Sequence, residues 1–350
     1  MRRIAVITAL ALALFAGALP ADAQTADPNI RVTAQRPDSR LKTVTKRVIF
    51  STAQGESRPD RVVRVRNIGG SPLTITSMTI TGANNTRFAV EDADAADGFT
   101  LAPNAFRDVP LSFTPAPGAF GRYAAQLETE SNDPGSPTTV TTLKGLHAVG
   151  YEESNEPTLF AILSTLGFEP AGLPQTNLNP NIVYEDEVRT AFFRPSKPHG
   201  RVALIPMARY STVIPDSCCP AGWYEARNPL KTKHRLQRWS GGPAATGENQ
   251  KLMPVPGVPP SVNLNDAGDN RTTFTPGGDF GLYSGGDLSG NPALSMRFFH
   301  ARRADRDNYY EDVWIVVEDQ GNSGTNGNSV VRNFDHNDFV WLLVNAVPVA

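Results

Sequence analysis

The sequence predicts an all-β protein: an immunoglobulin-like, seven-stranded β-sandwich followed by a second β-sandwich of jelly-roll type. Short segments rich in β-branched residues recur at close spacing with turn residues between them. The chain also has 29 glycines and 29 prolines, which supply turns and disfavour long helices. Two segments near the C-terminus, 313–317 and 334–345, form strands of mostly apolar residues, which implies burial.

Length and charge limit the possible partners. The 350 residues are enough for two domains of ordinary size. The 33 basic and 35 acidic residues nearly cancel. No general affinity for nucleic acid or for an anionic membrane is therefore expected.

The N-terminus has the pattern of a secretory signal. Arg2 and Arg3 precede an uncharged apolar run over 4–19, and an A-x-A cleavage site ends at Ala23. We predict a signal peptide over 1–23, export from the cell, and no integral membrane segment after cleavage. The following polar stretch, 24–43, is predicted to be a flexible leader.

The first domain is predicted over 44–149. Arginines alternate with valines between Arg61 and Arg66, which fits either an anion-binding stripe or a solvated sheet face. Glycines at 69 and 70 mark a turn, and Gly82 ends the next strand. A short segment at 48–50 leads into the domain, and the seven predicted strands lie near 61–66, 73–80, 88–90, 99–101, 109–113, 125–129 and 138–143.

The order of turn and core residues in this domain resembles the ASH-type (abnormal spindle/hydin-like) immunoglobulin domain, named choice-of-anchor D in bacterial secreted proteins. The resemblance covers 44–149 and implies a seven-stranded spacer or interaction module without catalytic residues. The residues that carry it are Asn67, Gly69, Leu73, Ile75, Ile80, Gly82, Phe88, Leu101, Pro103, Phe113, Pro115, Leu127, Ser131, Asn132, Asp133, Pro134, Leu143 and Gly145.

An acidic stretch ending in Pro157 is predicted to be a linker over 150–157, before a second domain over 158–350. Residues 158–168 predict a short helix with a buried stripe and a cap at Gly167, packed on a sheet edge. The remainder is predicted to be strands, at 185–194, 201–206 and 294–299, separated by loops.

Residues 270–346 resemble a C-terminal β unit of bacterial extracellular proteins, which occurs beside carbohydrate-recognition or adhesin modules. The resemblance is carried by 280–283, 316–319 and 335–340.

Acidic and amide side chains gather where the two apolar segments end. Carboxylate and amide oxygens are the ligands that Ca²⁺ prefers, so this joint is a candidate calcium site. Asx turns that cap backbone amides are the alternative. The acidic run at 305–312 lacks the glycine of an EF-hand loop. The candidate ligands are Glu318, Asp319, Asp335, Asn337 and Asp338.

A second candidate site is aromatic. Rings in exposed loops can stack on sugar rings, whereas rings in strands fill the core. The segment 277–284 is predicted to be a turn with exposed aromatic residues. The candidate sugar-binding residues are Trp223, Tyr224, Trp239 and Tyr283.

Enzyme signatures are mostly absent from the sequence. No nucleophile elbow, zinc-protease helix, P-loop or dinucleotide fingerprint occurs, and the five histidines lack metal-ligand spacing. Glycoside hydrolysis by a pair of carboxylates, Glu318 with Asp335, remains an open alternative.

Cys218 and Cys219 are adjacent, so they do not crosslink distant parts of the fold. Three states of this pair remain open: free thiols, a strained ring formed by a disulfide between the two, or intermolecular disulfides.

The sequence thus predicts a non-enzymatic, exported binding or adhesion protein, ordered by Ca²⁺, at the cell surface or outside it, with the periplasm as the alternative. Its expected partner is a surface glycan or an envelope protein. Two other classes stay open: a carbohydrate-active hydrolase or lyase, and a structural envelope subunit.

Overall fold

The computed structural model describes most of the two predicted domains. Its description excludes the predicted signal peptide over 1–23, and also Cys218, Cys219 and Trp239. The described residues are 27–35, 47–53, 61–118, 120–149, 156–210, 220–227, 232–237, 250–252, 273–289, 296–303, 308–319, 322–323, 330–331 and 335–349.

The first half of the chain is a sandwich of a four-stranded sheet (order β1-β3-β7-β5) and a five-stranded sheet (order β2-β9-β8-β4-β6). A 3-10 turn, Asn85–Arg87, and a one-turn helix α1, Ala93–Ala96, lie in its connections. The strands are β1 (Ile30–Gln35), β2 (Arg47–Ala53), β3 (Arg61–Asn67), β4 (Leu73–Thr81), β5 (Phe88–Val90), β6 (Phe99–Leu101), β7 (Phe106–Phe113), β8 (Gly121–Ser131) and β9 (Thr138–Ala148).

This half confirms the predicted β-sandwich but has nine described strands rather than seven. Part of the difference is β1, which lies in the segment predicted to be a flexible leader. That prediction is wrong for Ile30–Gln35, because β1 pairs antiparallel with 62–67 of β3 and buries Ile30 and Val32 in the core. The leader was misjudged because its apolar alternation is short and is completed only by a partner strand.

Side-chain hydrogen bonds explain several residues of the ASH-like pattern. Buried Asn67 accepts from the Gly69 amide and donates to the carbonyls of Ser71 and Leu101, which fixes the turn between β3 and β4. Asp133 accepts from the amides of Ile30 and Gly135. These polar residues therefore satisfy backbone groups at the end of the sandwich.

The second half is a sandwich of a seven-stranded and a six-stranded sheet. The first has the order β10-β19-β20-β23-β12-β15, with β16 also paired to β12; the second has the order β14-β13-β17-β11-β24, with β18 paired to β17. The strands, including a separate β21–β22 pair, are β10 (Glu187–Val188), β11 (Phe193–Pro195), β12 (Val202–Tyr210), β13 (Ala221–Glu225), β14 (Lys233–Gln237), β15 (Gln250–Leu252), β16 (Thr273–Phe274), β17 (Phe280–Ser284), β18 (Asp287–Leu288), β19 (Met296–Arg302), β20 (Tyr309–Glu318), β21 (Asn322–Ser323), β22 (Val330–Val331), β23 (Phe339–Val344) and β24 (Ala346–Pro348).

The seven-stranded sheet is buried on both faces. On one face Trp314, Val316 and Trp341 join the core between the two sheets of this half. On the other face Ile315 and Val317 pack with a helix and with residues of the first half. This double burial confirms the prediction from the two apolar segments. The indole N–H groups are satisfied, because Trp314 donates to Ala346 O and Trp341 to Gln237 Oε1.

The predicted short helix is present as α2, Leu159–Leu166. Thr158 caps its N-terminus, and Gly167, with a φ of 102°, ends it in the left-handed conformation. The predicted buried stripe is confirmed; it packs in the core on a face of the seven-stranded sheet rather than at its edge. Its residues are Leu159, Ile162, Leu163 and Leu166.

A third hydrophobic cluster, separate from the core inside each sandwich, spans the two halves of the chain. Ile49, Leu146 and Ala148 of the first half pack in the same cluster as α2 and the seven-stranded sheet. Ser51 Oγ accepts from the Leu252 amide at 2.9 Å, which ties β2 to β15. Arg47 Nη1 donates to the carbonyls of Ser164 and Thr165 at 3.0 Å, at the C-terminus of α2. The halves are therefore docked against each other.

Candidate functional site

The candidate calcium ligands lie together at one end of the seven-stranded sheet, and we name them the acidic joint: Glu318, Asp319, Asp335, Asn337 and Asp338. Glu318 is the last residue of β20 and pairs with Phe339, the first residue of β23. The antiparallel pairing of β20 and β23 thus brings 318–319 beside 335–338. The two acidic segments thus lie side by side, but the carboxylates that converge are those of Asp319, Asp335 and Asp338, and the Glu318 carboxylate is not among them.

Three carboxylates of the joint converge. Oxygen atoms of Asp319, Asp335 and Asp338 all lie within 4.8 Å of one another, and the first two residues are buried. Two oxygens that each lie about 2.3–2.6 Å from one Ca²⁺ are separated by no more than about 5 Å. The spacing of the three carboxylates therefore suits a single calcium ion. Loop carbonyls and water supply further oxygens in such sites.

Asn337 adds an amide oxygen to the same loop. Its side chain is only 2 % exposed. Its Nδ2 donates to the carbonyl of Pro157 at 2.9 Å, whereas its Oδ1 accepts no hydrogen bond from the part of the chain that the structure describes. The backbone is held as well: His336 has a φ of 53°, and the Asp338 carbonyl accepts from the Tyr210 amide. The loop is therefore anchored both to β12 and to Pro157, which precedes the N-cap residue of α2.

Glu318 and Asp335, the candidate glycosidase pair, are both buried, at 0 % and 4 % exposure. Glu318 shares a face of the sheet with its cross-strand neighbours Met296 and Phe339, which belong to the core between the sheets. Arg209, also buried, lies across Phe339 on the next strand, with its guanidinium over that ring. A glycosidic bond must reach both carboxyl groups for hydrolysis. This burial argues against the pair acting on a polysaccharide.

The aromatic candidates occupy a different environment from the predicted one. Trp223 and Tyr224 lie in β13 and Tyr283 in β17, and all three are buried rather than in exposed loops. Burial raises the pKa of Tyr283 to about 12. The prediction of an exposed turn over 277–284 is wrong for 280–284, because these residues form the buried strand β17. We therefore correct these three from exposed sugar platforms to buried strand residues, of which Trp223 packs in the core between the sheets. Trp239 lies outside the described residues.

A buried ion pair, Arg297 with Glu187, was not predicted from the sequence and binds the loop before β10. Arg297 Nε donates to Glu187 Oε1 at 2.9 Å, its Nη2 contacts Glu187 Oε2, and the same guanidinium donates to the carbonyls of Asn179 and Ile182. Arg297 lies under the ring of Tyr184. An arginine between Met296 and Phe298 was the available signal, because a charge within an apolar strand needs a buried partner.

Comparison with known proteins gives structural similarity at low identity. No protein-family model and no curated protein matches the chain. Solved structures similar to it include a Porphyromonas gingivalis W83 protein of unknown function: 18 % identity and a TM-score of 0.26, covering 38 % of this chain and 51 % of that one. The chain thus spans about half the length of that protein.

Two further similar structures are of named proteins. An ASH/PapD-like domain of human CEP192 has 15 % identity and a TM-score of 0.24, covering 41 % of this chain and 99 % of that domain. The Salmonella enterica SafA pilin in complex with the SafB chaperone has 10 % identity and a TM-score of 0.27, covering 81 % and 93 %.

None of the described helices is a candidate for crossing a membrane. Neither α2 nor any other described helix has the length and apolarity to cross a bilayer.

Proposed function

We propose that this chain is an exported, non-enzymatic binding protein whose second half is ordered by a calcium ion in the acidic joint. The observation that carries the proposal is the convergence of carboxylate oxygens from Asp319, Asp335 and Asp338 within 4.8 Å. Its first half serves as an interaction or spacer module, of the choice-of-anchor D type that the residue pattern around Asn67 and Asp133 resembles.

Electrostatics supports a cation in the joint. Like-charged carboxylates at this separation repel each other, and burial of Asp319 and Asp335 strengthens the repulsion because the local dielectric constant is low. A divalent cation offsets it and joins 318–319 to 335–338. Binding would therefore hold together the ends of β20 and β23.

The architecture supports binding rather than catalysis. Glu318 and Asp335 are buried, and so are the aromatic side chains of β13 and β17. Loops at the ends of a rigid sandwich tolerate variation and carry recognition in many β proteins. The partner that fits an exported protein of this kind is an extracellular or envelope macromolecule.

Thermal unfolding with and without Ca²⁺ tests the proposal. At about one hundred times the dissociation constant, a ligand adds about 2.7 kcal/mol to the free energy of unfolding. For a domain of this size we expect the melting temperature to rise by roughly 5–10 °C. Asp335→Asn and Asp338→Asn should each abolish most of the rise.

Asp94→Asn is the matched control, because Asp94 is an exposed carboxylate of α1 in the first half. It should keep the full calcium response. A melting temperature that is the same with EDTA and with millimolar Ca²⁺ would contradict the metal site. Hydrolysis of a polysaccharide that is lost in Glu318→Gln would contradict the non-enzymatic assignment.

A further inference from the structure

The outer face of the four-stranded sheet carries a basic and aromatic surface, which we name the arginine face: Arg31, Arg64, Arg66, Phe106 and Asp108. The strand register arranges these side chains in two rows. Arg31 lies opposite Arg66, which lies opposite Phe106; Thr33 lies opposite Arg64, which lies opposite Asp108. The inner face of the same strands is apolar and packs in the sandwich core.

Arg64 is already engaged within this face. Its Nε and Nη2 donate to the two carboxylate oxygens of Asp108, both at 2.7 Å. Its guanidinium carbon lies 3.9 Å from the centre of the Phe106 ring. One arginine of the three is thus neutralised, and it holds Phe106 in place.

Arg31 and Arg66 are arranged differently. They are direct cross-strand neighbours, both exposed, and neither forms an ion pair with any residue in the described part of the chain. Like charges directly opposite each other in a sheet are destabilising. A neutral polar residue in place of either arginine would remove this electrostatic repulsion. A bound anion between the two guanidinium groups would convert the repulsion into attraction.

Phe106 adjoins this pair and is 52 % exposed. It is one of few large apolar side chains in the described residues with so much surface in water. Because Phe106 is the cross-strand neighbour of Arg66, a ligand bound to Arg66 meets the ring as well. The Phe106 ring offers a planar apolar surface, and the guanidinium groups of Arg31 and Arg66 offer paired N–H donors. Together they suit a ligand that has both a carboxylate and a ring with an apolar face.

We propose that the arginine face binds an acidic polysaccharide built of carboxylated sugars. The carboxylates bind Arg31 and Arg66, and a sugar ring packs on Phe106. An acidic peptide fits less well: the face of a sheet offers side chains only, whereas extended peptides gain affinity from the backbone groups of an edge strand. A polymer with a carboxylate on each ring needs no backbone partner.

This inference goes beyond the proposed function and is independent of the acidic joint. The arginine face lies in the first half of the chain, whereas the joint lies in the second. Its experiment is therefore carried out in EDTA, where a failure of the calcium site has no effect on the result.

Binding of the full chain to immobilised oligogalacturonate is the test, with fully methyl-esterified oligogalacturonate as the uncharged control. We expect binding to the acid form only, weakening as sodium chloride is raised. Arg31→Gln and Arg66→Gln should each weaken binding about tenfold, the effect of losing a charge-assisted hydrogen bond. Phe106→Ala should also weaken binding.

Arg201→Gln is the control for charge, because Arg201 is exposed in the second half; its binding should equal that of the wild type. The melting temperatures of Arg31→Gln and Arg66→Gln should be no lower than that of the wild type, which separates loss of binding from loss of folding. Undiminished binding by the Arg31→Gln/Arg66→Gln double variant, or equal binding of the methyl ester, would overturn the proposal. Equal binding of polyglutamate together with no effect of Phe106→Ala would overturn the sugar assignment in favour of an acidic peptide.

Discussion

Asn337 in the acidic joint donates a buried hydrogen bond of 2.9 Å to the carbonyl of Pro157, which lies 180 positions earlier in the chain. Pro157 immediately precedes Thr158, the N-cap of α2. The segment predicted to be a linker is therefore held at its C-terminal end by the candidate metal site. Order in the joint and the position of α2 are coupled through this bond.

Removal of that bond should destabilise the protein. Asn337→Ala leaves the buried Pro157 carbonyl without its donor, and an unsatisfied buried polar group costs about 1–3 kcal/mol. We expect the free energy of unfolding, measured in urea, to fall by that amount. Asn132→Ala is the control, because Asn132 makes exposed hydrogen bonds to Thr74 and Pro72 that water can replace. Equal losses in the two variants would contradict the role given to the Pro157 bond.

Docking of the two halves should depend on Arg47. Its Nη1 donates to two carbonyls at the C-terminus of α2, where the helix dipole favours a cation. Arg47→Met should lower the free energy of unfolding by about 1.5–3 kcal/mol. Arg47→Lys should recover part of the loss, since an ammonium keeps the charge but not the fork of donors.

Arg122→Met provides the comparison for Arg47, because the Arg122 side chain makes a solvent-exposed hydrogen bond to Ser164 Oγ and lies over the ring of Phe160. Its loss should stay below about 1 kcal/mol. Limited proteolysis reports on docking directly: Arg47→Met should be cleaved faster than Arg122→Met. The same cleavage rate in both would show that Arg47 does not hold the halves together.

The fold was predictable where the pattern is local. The alternation near 61–66 and 73–80, the capped helix and the two apolar segments each carry their own signal, and the structure has strands or a helix there. Strand β1 was not predictable in this way, because its partner β3 lies some thirty residues away. Strand β13 was misjudged because turn residues surround Trp223 and Tyr224 and conceal a short buried strand.

The candidate site was predictable only as a set of residues. The position of Glu318–Asp319 and of 335–338 at the ends of adjacent apolar segments was enough to expect that they meet. The contact of Asn337 with Pro157 depends on the position of the chain just before α2, which no spacing in the sequence encodes. Likewise, the repulsive Arg31–Arg66 pair follows from a strand register and not from either segment alone.

Removal of one partner of the buried Arg297–Glu187 ion pair should lower the free energy of unfolding strongly. Replacement of both partners by apolar residues should lower it less. Glu187→Gln leaves a buried arginine without its counter-charge, and such changes cost about 3–5 kcal/mol. The apolar double variant Glu187→Leu/Arg297→Met should be more stable than Glu187→Gln, because it leaves no buried charge. Asp279→Asn is the control, since its pair with Arg194 is exposed and should contribute less than about 1 kcal/mol. A double variant no more stable than Glu187→Gln would contradict this account.

Acid should destabilise the protein through His147. Burial lowers the pKa of His147 below its ordinary value of 6.5, although the contact with Thr52 opposes the shift. Between the folded pKa and about 6.5, the unfolded chain binds more protons than the folded one. Stability therefore falls as the pH drops from about 6.5 through the folded pKa, and is unaffected by this group at higher pH.

Urea unfolding at about pH 7.5 and about pH 5 measures this dependence. His147→Gln keeps a polar side chain beside Thr52 but does not titrate, so the difference between the two pH values should be smaller in the variant. His199→Gln is the control, because His199 lies in a turn between β11 and β12, outside the core of either sandwich. Its pH dependence should match that of the wild type. If His147→Gln instead loses as much stability in acid as the wild type, the acid sensitivity resides in other groups, and the burial of His147 does not determine it.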